Sequence, residues 1–359
     1  MSKYKKQTQE QQQLTRRQFI KSTAAGAAAI YMAPSSALGK DVNGKDVKSR
    51  VVIANHARMI DSDESINTRS ARQSVDEALL LLTQEDSIKD AWMQIFPDLK
   101  TQDTIGLKVN AVNFRCPTHP EVVSAITDSM VDSLGINPNN IIIWDRATSE
   151  LKKAGYTINQ SQNGVQCFGT IDKFDFMLWM KRQKQKEAGI GYDQKQINVG
   201  EGKKSRLSNI LTQLSTYMIN VPVLKNHQIA GITLSLKNHY GTIDNPEKCH
   251  ANYCDPFVAK INTTPQIKNK TKLIICDAVY GVYKGGPGGL PHLKYKSILA
   301  ATDPVALDYT GMQIINNQRK LDNLDIVNPA MAVHLKTAQK MGLGTCNPDN
   351  ILVKKSIIS

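Results

Sequence analysis

Apolar runs of strand length recur along the chain and alternate with stretches that carry helix-start signals. The runs are residues 51–54, 105–109, 141–144, 217–221, 273–276 and 298–301. A helix is predicted to open at 119–120, and a capping residue followed by proline predicts further helix starts at 255–256, 303–304 and 328–329. Gly342 predicts a helix end. Strands that alternate with helices favour parallel pairing. We therefore predict an α/β fold: one or more mostly parallel sheets flanked by helices, with two lobes as an option.

Composition divides the chain into four segments. Residues 1–39 are predicted to be a twin-arginine signal peptide, and residues 40–171 an N-terminal α/β lobe. Residues 172–208 are rich in Lys, Gln and Gly and are predicted to be a partly helical surface insertion. Residues 209–359 are predicted to form a C-terminal α/β lobe.

The signal-peptide prediction rests on three adjacent features. Residues 15–21 read TRRQFIK, a short apolar run follows at 22–33, and residues 35–37 offer small side chains for cleavage. The alternative is an ordinary amphipathic helix. Export of this kind carries folded proteins through the twin-arginine translocase, so the expected location is the periplasm, with an uncleaved membrane anchor as a second option.

The charge balance favours anionic ligands. The formal net charge is +13, and +8 remains without residues 1–39, which hold six basic residues and one acidic residue. The basic residues are scattered and are not interleaved with aromatic ones, so we expect no nucleic-acid partner. The six cysteines include no CxxC pair, so a ferredoxin-type iron–sulfur cluster has no support.

The tetrapeptide Leu-Lys-Asn-His occurs twice, at residues 224–227 and 236–239. The first copy follows a predicted strand, where ligands of open α/β sheets gather. The second copy ends a segment that is either extended or helical. In an extended segment Lys237 and His239 share one face, whereas in a helix Lys237 aligns with Thr233 and not with His239. We predict that both copies line one pocket for a small anion; a solvated lysine beside a structural histidine is the alternative.

The candidate catalytic residues take three roles. Lys225 and Lys237 are expected to orient the anion, and His227 or His239 to move protons. Asp277, or Asp145 at the end of another predicted strand, would orient a histidine or hold a metal.

A metal site and a glycine-rich loop are further candidates. Cys254 and His250 with His227 or His239 offer metal-ligand types, against a Cys249–Cys254 disulfide or a free thiol as alternatives. The glycine-rich loop could cradle an anion or close over a site as a lid, and Asp145 is grouped with it as a cofactor-binding candidate. The glycines of this loop that we assign to cofactor binding are Gly285, Gly286 and Gly288.

Several separated motifs resemble the signature of domain-of-unknown-function family 362. They are the segments 220–227, 231–233, 236–241, 254–256, 275–278, 285–288 and 302–308. Exported members are common in that family, and some carry ferredoxin-like cysteine motifs that are absent from this sequence. A looser similarity in residue types, at His227, Gly231, Lys237 and His239, is to the nickel-pincer lactate racemase family, whose cofactor we do not carry over.

Three functions follow from these patterns. The first is an exported enzyme, redox or metal-dependent, that acts on a small anionic substrate. The second is a non-catalytic periplasmic anion-binding protein. The third is an accessory factor with redox or assembly partner proteins, in an electron-transfer or cofactor-assembly complex.

Overall fold

The apolar runs form the strands of one mixed sheet in the computed structural model, which describes residues 48–161, 163–181 and 185–359. The predicted signal peptide lies outside the described residues. The strands are β1 (Ser49–His56), β2 (Ile105–Lys108), β3 (Ile141–Ala147), β4 (Gln166–Ile171), β5 (Tyr192–Gly200), β6 (Lys203–Ser208), β7 (Tyr217–Asn220), β8 (Val223–His227), β9 (Gly231–Thr233), β10 (Thr271–Val282), β11 (Leu293–Ala301) and β12 (Ile351–Ile358).

Within the described part of the chain, ten of these strands form a sheet ordered β12-β1-β11-β10-β7-β2-β3-β4, with β8 beside β10 and β9 beside β8. Neighbours pair in parallel, except that β11 is antiparallel to β1 and β10, and β9 to β8. The predicted mostly parallel α/β fold is confirmed. Strands from 40–171 and from 209–359 interleave, so the optional division into two lobes does not extend to the sheet.

Helices cover both faces of the sheet. They are α1 (Thr68–Thr83), α2 (Ile88–Ile95), α3 (Pro120–Leu134), α4 (Thr148–Lys153), α5 (Phe176–Met180), α6 (Ser235–Asn238), α7 (Phe257–Asn262), α8 (Pro265–Lys268), α9 (Pro304–Leu321) and α10 (His334–Lys340). Side chains alternate across a strand. Accordingly, Val52 and Ala54 of β1 join the core under α1, α2 and α3, whereas Val51 and Ile53 join the core on the opposite side with α7, α9 and α10. No helix in the described ranges is long and apolar enough to span a bilayer.

The predicted helix starts have mixed outcomes. Asp303 caps α9 by accepting from the backbone N–H groups of Val305 and Ala306, and α3 begins at Pro120. α7 begins at Phe257, directly after Pro256, so the helix predicted at 255–256 is present, but Asp255 makes no cap to it. The prediction at 328–329 was wrong, because Asn328 accepts from the N–H of Ala330 in a local turn. Asn and Asp before proline favour turns as well as helix caps.

The insertion at 172–208 contains α5 and an antiparallel hairpin of β5 and β6, which forms a separate two-stranded sheet. The six cysteines are all free thiols, so the disulfide between Cys249 and Cys254 does not form.

Candidate functional site

The sheet forks at the first Leu-Lys-Asn-His copy. Strand β7 pairs with β2 up to the Lys108–Asn220 position and with β10 over Thr271–Ile274. The chain then passes Pro222 and continues as β8, which stays beside β10 and pairs with β9 instead of β2. Strands β2 and β3 therefore end beside a gap, the kind of place where ligands of open α/β sheets bind.

A cavity of about 540 Å³ occupies this gap. It is enclosed by the ends of β2 and β3, by β8 and β9, by α6 and by part of the insertion. Its lining residues are Lys108, Asn110, Ala111, Val112, Phe114, Asp145, Arg146, Ser149, Glu150, Lys153, Phe174, Phe176, His227, Thr233, Lys237, Asn238, Tyr240, Gly241, Pro246, His250 and Pro287.

The second Leu-Lys-Asn-His copy enters the cavity wall as a helix. Ser235–Asn238 form α6, and the fully buried carboxylate of Asp308 accepts the backbone N–H groups of Ser235 and Leu236 and the Ser235 hydroxyl. A carboxylate at a helix N-terminus satisfies N–H groups that have no intrahelical partner. Burial raises the pKa of Asp308 to about 7, although the Ser235 hydrogen bond opposes that rise.

Lys237 is the central cation of the site. Its Nζ lies 3.4 Å from His250 Nε2 and 4.0 Å from the centre of the Tyr240 ring, and only 7% of the residue is exposed. Burial lowers the pKa of Lys237 to about 8. Lys237 is thus a partly desolvated ammonium that faces a cavity and has no carboxylate partner among the described residues.

The two histidines of the cavity have opposite tautomers. His250 Nδ1 lies 2.9 Å from the Pro246 carbonyl oxygen and must donate to it, which leaves Nε2 as an acceptor facing Lys237. His227 Nδ1 accepts from the N–H groups of Ile229 and Ala230, so Nε2 carries the hydrogen. Burial lowers the pKa of His227 to about 2 and that of His250 to about 4, so both rings are neutral near pH 7.

The cavity's carboxylates are already paired. Asp145 lies 2.6 Å from Lys108 Nζ and accepts from the N–H of Ala111, while Glu150 lies 3.4 Å from Arg146. In the described ranges, Lys153 and Lys237 form no ion pair with a carboxylate. The remaining charge is therefore positive, which favours an anionic ligand.

The predicted site residues do not all lie together. His227, Lys237, His250 and Asp145 line the cavity. Lys225 lies behind the wall, where its fully buried Nζ donates to Asn110 Oδ1 at 2.8 Å and burial lowers its pKa.

His239 and Asp277 lie elsewhere. His239 lines a second cavity of about 220 Å³, and burial lowers its pKa to about 3. Asp277 Oδ2 accepts from the backbone N–H of His119 and lies 2.7 Å from His119 Nδ1. This pairing joins β10 to the start of α3.

The predicted metal ligands are divided between these places. His227 and His250 share the main cavity, whereas His239 lines the other one and Cys254 lines neither. No group of three or more His, Cys, Asp or Glu side chains placed to hold a metal occurs in the described ranges.

The glycine-rich loop is hydrogen-bonded to β8. The N–H of Gly286 donates to Asn226 Oδ1 at 3.0 Å, and Asn113 Nδ2 donates to the carbonyls of Pro287 and Gly289. A Cβ at Gly286 would lie 2.0 Å from the Asn226 carbonyl oxygen, whereas Gly288 faces open space. Pro287 is the loop's contribution to the cavity, while Gly285, Gly286 and Gly288 do not line it.

Two contributors were missed by sequence reasoning. Lys108 lies inside an apolar strand, and an ionisable residue in such a run could have signalled the buried pair with Asp145. His334 of α10 is fully buried outside the cavity lining, and its burial and the charge of Lys237 lower its pKa to about 3, while a backbone hydrogen bond with Met331 opposes that shift. Nothing in its sequence surroundings distinguishes it.

Comparison with known proteins assigns the family. The family model described as Domain of unknown function (DUF362) matches residues 105–313, which include the fork, both Leu-Lys-Asn-His copies and Asp308. The chain belongs to that family. A crystal structure of a Thermotoga maritima protein, determined by the Northeast Structural Genomics Consortium, has 14% identity and a TM-score of 0.31, and the match covers 66% of this chain and 58% of that one. No curated protein sequence matches the chain.

Proposed function

We propose that this member of the DUF362 family is an enzyme that binds a small organic anion in the main cavity and exchanges a proton between the ligand and Lys237, which His250 orients. The observation that carries the proposal is the buried Lys237 ammonium, which lies 3.4 Å from an acceptor nitrogen and faces a cavity without a carboxylate partner in the described ranges. Perturbed groups in clefts are enriched at functional sites.

The ligand's anionic group would be held from two sides. Lys237 supplies positive charge, and His227 supplies an Nε2–H donor because its Nδ1 is occupied by two backbone N–H groups. An organic body is favoured because apolar and aromatic side chains also line the cavity: Val112, Phe114, Phe174 and Tyr240.

Proton transfer follows from the pKa of Lys237. A lysine with a pKa of about 8 exchanges its proton near neutral pH far more readily than an exposed one, whose value is 10.5. The Lys237 ammonium donates to the Nε2 of neutral His250, whose ring is held by its Nδ1–H bond to Pro246, and this contact orients Lys237. The proton exchanged with the ligand would move to and from Lys237 Nζ, and His250 would act as a positioning residue.

The test is hydrogen exchange at carbon. The protein is incubated in D₂O with a panel of small 2-hydroxy and 2-oxo carboxylates, and loss of the C–H signal is followed by NMR. Binding is measured separately by calorimetry. We expect Lys237→Gln to reduce exchange by about 10²-fold or more and to weaken anion binding.

The matched control is Lys153→Gln, which removes an exposed positive charge from the same cavity and is expected to change exchange only a few-fold. Full activity in Lys237→Gln would contradict the proposal. Binding without exchange in the wild type would instead indicate the non-catalytic anion-binding protein.

We also propose that the chain is exported folded through the twin-arginine route, on the evidence of residues 15–21. In the native host, Arg16→Lys with Arg17→Lys is expected to retain the protein in the cytoplasm, as measured by cell fractionation. The control is Lys5→Arg with Lys6→Arg, which exchanges the same residue types outside the motif. Equal export of both variants would refute the route.

A further inference from the structure

Helix α5 in the insertion consists of apolar residues alone. Its sequence is Phe-Met-Leu-Trp-Met, and Phe176, Met177 and Met180 are 59%, 60% and 58% exposed. A helix that is apolar all round is normally buried. A protein partner would cover one side of such a short helix, whereas the boundary of a lipid bilayer can surround it.

The exposed apolar surface continues around the main cavity. Phe176 lines that cavity, and so do Val112 and Phe114 from the segment after β2, which are 53% and 55% exposed. Two separate segments therefore place large apolar side chains both in solvent and at the same cavity. Such patches in soluble proteins mark interaction sites.

Basic residues flank the helix. Lys173 and Lys181 are exposed on either side of it, and Arg182, Lys184 and Lys186 follow in sequence. Residues 172–187 carry five basic residues against three acidic ones, and of the latter Asp175 is engaged as a cap to the N–H groups of Met177 and Leu178. Apolar side chains beside cations are typical of segments that bind anionic lipid surfaces.

We propose that α5, together with Val112 and Phe114, docks the protein on an anionic membrane surface, so that the main cavity receives an amphipathic anion from the lipid phase. The docking step stands on the exposed apolar and basic residues alone. The ligand class rests on the proposed function, because it assigns the cavity to an organic anion.

Tryptophan fluorescence gives a direct test with the full chain. Trp179 lies within α5, whereas Trp92 and Trp144 are fully buried. Vesicles of phosphatidylglycerol and phosphatidylcholine with brominated acyl chains quench tryptophan on contact. We expect quenching in the wild type and none in Trp179→Phe. Absence of quenching in the wild type would overturn the docking of α5, even if residues 1–39 bind the vesicles.

Vesicle flotation then tests the side chains. Met177→Ser with Met180→Ser is expected to weaken binding to the anionic vesicles about tenfold or more, because each methionine contributes apolar area to the contact. The matched control is Met93→Ser with Met341→Ser, which removes two methionines that are 49% and 36% exposed on other elements. Equal binding of the two variants to vesicles would overturn the proposal. Formation of a dimer through α5 in the absence of vesicles would also overturn it, because a second copy of the chain would then cover the apolar surface.

The ligand class is tested in solution without vesicles. A long-chain carboxylate should bind about tenfold more tightly than a short-chain one, and Met177→Ser with Met180→Ser should not change that ratio, since neither methionine lines the cavity. Equal affinities would overturn the ligand class. Docking would be unaffected by that result, and the exchange measurement on Lys237→Gln would remain an independent test of the proposed function.

Discussion

Burial disfavours the charged form of the Lys237 side chain. The residue is 7% exposed, and burial lowers its pKa from 10.5 to about 8. Between these values the unfolded chain binds a proton that the folded chain does not, so stability rises with pH over this window. Below about pH 8 the folded protein bears the full cost of the buried ammonium. Such a cost is expected where a residue is kept for function.

Replacing Lys237 with methionine should therefore stabilise the protein while removing anion binding. At pH 7 we expect the free energy of unfolding to increase by on the order of 1–3 kcal/mol, measured by urea denaturation. The gain should diminish between about pH 8 and 10.5 and vanish above it, because the wild-type lysine is then neutral in both states. A loss of stability at pH 7 would show that Lys237 is structural.

Residue type and position in the sequence predicted His227, Lys237 and Asp145 as site residues, and all three line the main cavity. Residue type and position were not enough to separate Lys237 from His239. In the extended form these two side chains share a face, but residues two apart on a helix point in different directions. The observed α6 and the turn that follows place them at different cavities. That outcome depends on Asp308, which is distant in sequence.

At the scale of elements, the glycine-rich loop is a fixed wall of the cavity because it packs on β8. Gly286→Ala should lower the free energy of unfolding by about 1–3 kcal/mol, since a Cβ there meets backbone that cannot move aside. Gly288→Ala should change it by less than about 0.5 kcal/mol, because nothing lies within 4 Å of its added Cβ. The stabilities of the two variants are compared by thermal denaturation. Equal effects would contradict the close packing of the loop against β8.

Apolar runs predicted the central strands well because those strands are buried on both faces. The hairpin of β5 and β6 was not predicted. Much of β5 is exposed and polar, so no alternation marks it, and its pairing is set by its partner strand. Strand β9 is only three residues long and owes its conformation to β8.

The whole molecule depends on a sheet that both halves of the chain build. β1 lies between β11 and β12, and β2 between β7 and β3. A tryptic cut in the insertion, at exposed Lys181 or Lys186, should therefore leave both fragments in one particle by native mass spectrometry. In urea the same fragments should separate. Dissociation of the nicked protein without denaturant would show that the halves are independent lobes.

The main cavity draws its lining from residue 108 to residue 287. During synthesis, a growing chain that ends anywhere before Pro287 lacks at least one wall, whatever local structure it has reached. A product truncated before Pro287 then cannot offer the complete cavity to a ligand, and a bound ligand would stabilise only chains that extend beyond it. Occupancy would thus report that synthesis has passed residue 287.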